Sequence, residues 1–95
     1  MDVLIEKIIL NKEGVLFVKP KNYSFDMIYR SAMGVHWDKN ESLLYHNLPK
    51  DWNNLRWYRQ IISAVKGEYG VTLKVDSKTV YENIDEKVKT AIESE

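Results

Sequence analysis

Every tryptophan, arginine and histidine of the chain falls between Arg30 and Arg59, and these are the residue types here with the most to offer a partner. Trp37, Trp52 and Trp57 are interleaved with Arg30, Arg56 and Arg59, with His36 and His46, and with Tyr45 and Tyr58. A guanidinium can lie on an indole face and still present its fork to a carboxylate or phosphate. Trp52 and Arg56 stand at i and i+4, with Arg59 about one turn further on, so a helix places them along one flank. There they would anchor an acidic protein or a small acidic molecule, with Arg30 expected to join them in space. The competing reading is intramolecular: the arginines cover aromatic surface and pair with Asp51 or another acid. Trp57, at the edge of the apolar helix face, reads as core or rim.

His36 and His46 are the side chains whose ordinary titration lies near neutrality. In an even register they share one sheet face, and with Asp38 or Asp51 they would make a metal site or an acid–base pair. Their spacing matches no metal signature such as His-Glu-x-x-His, and histidines in short hairpins more often pack than ligate. An enzyme or metal-dependent protein using His36 and His46 is therefore the alternative to a binding protein. Three arginines beside three tryptophans would also suit single-stranded nucleic acid. Against that, the 14 basic and 14 acidic residues cancel, and phosphate neutralisation dominates such affinity. The acidic residues Glu82, Asp85, Glu86, Glu93 and Glu95, interleaved with Lys87 and Lys89, read as a solvated face. The glycines are isolated, no serine-centred nucleophile motif occurs, and no cofactor is implied.

Ninety-five residues with 44% hydrophobic content make one domain over 1–95, large enough for a core without disulfides or a structural metal. With no cysteine, thiolate chemistry is absent and a reducing, cytoplasmic setting is expected. Asp2, Glu6 and Lys7 interrupt the apolar start, which reads as neither a signal peptide nor a membrane span. The triplets Asn22-Tyr23-Ser24 and Asn40-Glu41-Ser42 read as chance glycosylation matches.

The elements that must position these residues follow from periodicity and turn chemistry. Val3–Leu10 and Val15–Val18 flank Asn11-Lys12-Glu13-Gly14 as a hairpin whose second strand Pro20 ends. Ser24 caps a predicted helix over Phe25–Met33, stopped by Gly34. Val35–Trp37 and Leu43–Tyr45 form a second hairpin, closed by Leu48-Pro49. Asp51 caps a long helix from Trp52 to about Lys66, burying Leu55, Tyr58, Ile61, Ile62, Val65 and Tyr69, with Ile62 near the centre of the arc. Val71, Leu73 and Val75 alternate as a half-buried strand. A helix is expected from Asp85 to Ile92, whereas residues 77–84 stay open between helix and strand.

The run Ile28 to Asp38, then Trp57 to Ile62 and Glu68 to Leu73, resembles small bacterial α+β proteins of the integron, or mobile gene cassette, type. The likeness spans most of residues 25–92 and rests on aromatic and glycine spacing, so it carries over no catalytic residue. It implies a compact cytoplasmic protein with an accessory role. The expected architecture is a single α+β domain with an antiparallel sheet and the long helix across one face. Its expected function is non-catalytic binding through Arg30, Trp52, Arg56 and Arg59, with Trp37 and Tyr45 exposed on the open sheet face and a homodimer formed there.

Overall fold

The computed structural model describes residues 1–31, 33–46 and 52–95. The first hairpin joins β1 (Asp2–Leu10) to β2 (Leu16–Pro20). Its turn is held by the Asn11 side-chain oxygen, which accepts from the Glu13 and Val15 amides at 3.0 and 2.9 Å, and by Gly14 at φ 82°. A Cβ resists that φ, so the glycine is required there. β3 (Val35–Asp38) and β4 (Leu43–His46) make the second hairpin, its turn ordered by the Asp38 carboxylate accepting from the Asn40 and Glu41 amides. Then follow α1 (Asn54–Tyr69), β5 (Thr72–Lys74), β6 (Val80–Glu82) and α2 (Glu86–Glu93).

The strands form one sheet in the order β3-β4-β2-β1-β5, with β6 also on β1. The fold is α+β with the long helix on one face, as expected. The sheet, however, is mixed rather than wholly antiparallel, because β5 and β6 both run parallel to β1. The physical reason is the route: β5 is reached through a helix that has crossed the sheet, not through a tight hairpin turn.

β1 carries two registers. Val3 and Ile5 are buried, and then Ile8, so the two-residue alternation changes phase. An irregularity between Ile5 and Lys7 in the pairing with β2 absorbs the extra residue. At the same point the outer edge of β1 changes partner, from β5 at Asp2–Leu4 to β6 at Lys7–Ile9. The Ile5 carbonyl lies between these ladders, and the buried Thr79 hydroxyl donates to it at 2.7 Å while accepting from the Asp76 amide at 3.0 Å. A side chain thus replaces the missing strand partner, as burial of a backbone carbonyl demands.

α1 is capped by Asn53, whose side chain accepts from the Arg56 amide at 2.8 Å, and ends in Gly70 at φ 68°. Asp51, expected as the cap, and Leu48-Pro49 lie outside the described residues. Trp52 precedes the cap and packs on Trp57 five positions later, at 4.6 Å between ring centroids, which is the staple that fixes the entry angle of a helix. The helix runs through Gly67 to Tyr69, where the half-buried Tyr69 ring meets Phe25 edge-on at 5.0 Å, while its buried face is made by Trp57, Tyr58, Ile61, Ala64 and Val65. That face is rotated from the expected arc. Trp57 is 3% exposed and belongs to the core, whereas Leu55 and Ile62 are only half-buried.

The helix expected over Phe25–Met33 reduces to one 3-10 turn, Ile28–Ser31. Phe25 and Ile28 are fully buried while Met27 and Tyr29 are exposed, a three-residue spacing that suits the tighter helix. The Met27 amide donates to the Tyr69 hydroxyl at 2.8 Å, which ties the segment to the end of α1 instead of to a helical turn of its own. In the open stretch 77–84, residues 80–82 are strand, and Asp85 caps α2 through the Lys87 amide at 3.0 Å. No helix among the described residues is long and apolar enough to cross a membrane.

Two stability measurements check this packing. Ile61→Ala should cost about 2–5 kcal/mol, the range for emptying a core position, and half-buried Ile62→Ala clearly less; equal losses by chemical denaturation would mean the helix is turned differently. Thr79→Val should cost about 1–3 kcal/mol by orphaning the Ile5 carbonyl, with Thr79→Ser recovering most of it.

Candidate functional site

His46 closes β4 on the core side of the sheet. Its Nε2 accepts from the Leu16 amide at 3.0 Å in the interior, so that nitrogen is unprotonated and its lone pair is spent. The imidazole lies on the Trp57 indole at 3.9 Å and 6°, a parallel stack. Trp57 contacts Trp52, and the Arg56 guanidinium carbon stands 4.1 Å over the Trp52 ring. A ladder of π faces therefore leads from a buried backbone hydrogen bond to an exposed guanidinium. Arg56 is exposed and forms no ion pair among the described residues.

The two histidines do not converge. Val35 pairs with His46 and His36 pairs with Tyr45, which sets His36 and His46 on opposite faces of the sheet. They cannot share a metal or a substrate, and among the described residues no group of three or more potential ligands could hold a metal ion. His36 instead lies 5.6 Å from Tyr45, which is 5.7 Å from Phe17, making an aromatic strip on the open face. Tyr45 stands on that open face but half-buried rather than exposed, and Trp37 is not on it. Its pairing with fully buried Leu44 puts it on the core side, edge-on to Phe25 at 5.8 Å and 79°.

The arginines also separate. Arg59 meets Glu95 through two hydrogen bonds of 2.8 and 3.0 Å, a fork-to-carboxylate pair. Those bonds hold the Glu95 carboxyl below the ordinary carboxylate range and raise the Arg59 guanidinium further. Arg30 lies 3.6 Å from Glu68, near the far end of α1. At about 1.5 Å of rise per residue, Glu68 is roughly 18 Å along the helix from Arg56, so Arg30 is no part of the Trp52 cluster.

One feature escaped the sequence reading. A cleft of about 510 Å³ opens between α1, β5 and the end of α2, with Ile62, Leu73, Val75 and Ile92 as apolar lining and Tyr58, Arg59 and Glu95 among its polar groups. Its residues come from three separate stretches of chain, and the only signal for it was the surplus of half-buried apolar positions on α1. Tyr58 is 4% exposed, and burial pushes its phenol up to about 12 from the ordinary 10.0, with Tyr81 and Glu95 adding to the effect.

Fold and surface together define a small α+β domain with a mixed six-stranded sheet, an arginine-capped aromatic ladder and a side cleft. The chain belongs to the family described as Integron Cassette Protein Hfx_Cass5, whose model matches residues 4–79. Among solved structures it is similar to the integron cassette protein Hfx_Cass5 from the mobile metagenome of the North West Arm Sewage Outfall. That likeness has 27% identity over 97% of this chain and 92% of the other, with a TM-score of 0.48. No curated protein matches the chain. The cassette resemblance read from the aromatic and glycine spacing is thereby shown.

The site generates two checks. His46→Phe keeps the stack but strands the Leu16 amide, so it should cost about 1–3 kcal/mol, whereas His36→Phe on the open face should change stability little. Tyr58 is held neutral by folding, so its contribution is full below the unfolded value of 10.0 and is lost as pH rises through about 12. Stability should fall across that window, and Tyr58→Phe should flatten the fall; an identical alkaline profile in the variant would exclude this phenol as the cause.

Proposed function

We propose that this integron cassette protein is a non-catalytic binding protein of the bacterial cytoplasm, and that its docking element is Arg56 stacked on Trp52. One observation carries the reading: Arg56 is the arginine of the three that meets an aromatic face and engages no carboxylate among the described residues. Stacking orients the guanidinium plane and leaves its fork for an acidic protein segment or small acidic molecule. The packing of Trp52 on Trp57 holds the platform at the helix entrance, so little ordering remains to be done on binding. Arg59 and Arg30 are left out of this element, since Glu95 and Glu68 already face them. The notion of an enzyme using both histidines loses its geometric basis in their opposite faces.

A homodimer is the second reading, favoured by the open face. Phe17, Tyr45 and His36 form a strip there, and Val80, on the β6 side of the same sheet, is 48% exposed. A sheet face of this kind gains by packing on its copy.

Titration with a glutamate-rich peptide, followed through the Trp52 indole N–H and the Arg56 side-chain resonances, tests the docking element. Both signals should move at low salt and respond less as salt is added. Arg56→Gln should abolish the response at an unchanged melting temperature; peptide binding unaffected by that change would refute the assignment. For the dimer, sedimentation over a wide concentration range should show association that Tyr45→Lys prevents, and a monomer throughout would remove this second reading.

A further inference from the structure

We infer that the cleft between α1, β5 and α2 is a second binding site, for a small monocarboxylic acid with an apolar body. The acid's carboxylate would take the place on Arg59 that Glu95 holds in the free protein. The volume, about 510 Å³, falls in the range of small-molecule pockets. Its walls are Leu73 and Ile92 of the core with the half-buried Ile62 and Val75, and the part of Ile62 and Val75 left outside the core is apolar surface that water covers at a cost. An apolar ligand body would relieve that cost.

The polar end of the ligand is specified by charge. The structure already holds a carboxylate on the Arg59 fork, supplied by Glu95 in two-point geometry at 2.8 and 3.0 Å. A two-point fork selects a planar carboxylate over an alcohol or an amine. The Glu95 side chain is exposed enough to leave, at 34%, and its contact with Arg59 lies at the surface, where solvent and salt screen the two charges. An incoming carboxylate would meet repulsion from Glu93 and Glu95, so Glu95 must swing away as the ligand enters. Lys74, the other cation of the cleft, is 3.1 Å from Asp2 and so is partly neutralised, which leaves Arg59 as the anchor. Tyr58, kept in its neutral form, adds an O–H donor within the same walls. The site is separate from the Trp52 and Arg56 element and does not depend on it.

Octanoate, octanol and acetate are the probes, titrated into the full chain while the methyl signals of Leu73 and Ile92 are followed. Octanoate should shift both methyls, and acetate and octanol should bind about tenfold more weakly or worse, each lacking half of the recognition. Glu95→Gln removes the resident competitor and should tighten octanoate about three- to fivefold. Arg59→Gln should reduce octanoate to the level of octanol. Both variants change exposed side chains, and wild-type melting temperatures confirm the fold. Unmoved methyls with octanoate in Glu95→Gln would overturn the site. Equal octanoate affinity in the wild type and Glu95→Gln, or in the wild type and Arg59→Gln, would overturn the carboxylate exchange.

Discussion

The Leu16 amide of β2 has to donate to something in the interior, and His46 Nε2 is what it finds. This single bond constrains much else. It fixes the imidazole in the core at the end of β4, and the ring then offers Trp57 a flat face at 3.9 Å. Trp57 must turn inward to use that face, which sets the rotation of α1 about its axis. With Trp57 in place, Trp52 packs against it before the first helical turn, and Arg56 comes to lie over Trp52. A buried hydrogen bond thus governs, through three rings in contact, where the exposed guanidinium sits. Buried polar groups without partners are costly, so histidine at this position is a structural requirement before it is anything else.

β1 imposes the second constraint. It is the strand on which β2, β5 and β6 all depend, and it serves two parallel partners along one edge. A strand can change partner midway only if the backbone groups at the junction are satisfied elsewhere. The local irregularity after Ile5 and the Thr79 hydroxyl meet that need together. One consequence reaches the cleft: β5 is confined to the first part of β1, so the space beside it, between α1 and α2, is not filled by a longer strand.

What the sequence made legible follows from the range of the interactions involved. Both hairpins, the β5 strand and the later helix were readable because turn residues and periodicity are local, and Asn11, Gly14, Asp38 and Asp85 do the ordering within a few positions of themselves. The stacking of Arg56 on Trp52 was readable for the same reason. Contacts between distant segments were not. The phase change within β1 and the Leu16–His46 bond join parts of the chain whose register no local pattern encodes. The helix face was misjudged by a fraction of a turn because periodicity counts Ile62 and Trp57 alike as apolar. The imidazole opposite gives Trp57 a stacking partner in the interior, and that contact favours burying the indole. The segment after Ser24 carried helix signals, but Tyr69 takes the Met27 amide from across the fold, and a tertiary partner overrides local propensity.

The three arginines show how the same residue type settles into two kinds of surroundings, beside a carboxylate or over an aromatic face. Arg30 and Arg59 stand beside acids supplied by the chain itself, so at rest their charge is already answered. Among the described residues Arg56 is answered by a π face alone, which attracts a cation without neutralising it. A guanidinium on an aromatic platform keeps its full charge and its donors, whereas one in a two-point carboxylate pair has its charge countered and its paired edge occupied until the pair opens. The first is suited to a partner that arrives at an open surface. The second is suited to one that must compete, because only a ligand able to displace Glu95 and also fill the apolar walls beside it gains from doing so. Selectivity at the cleft would then come from the contact that must be broken as much as from the one that forms.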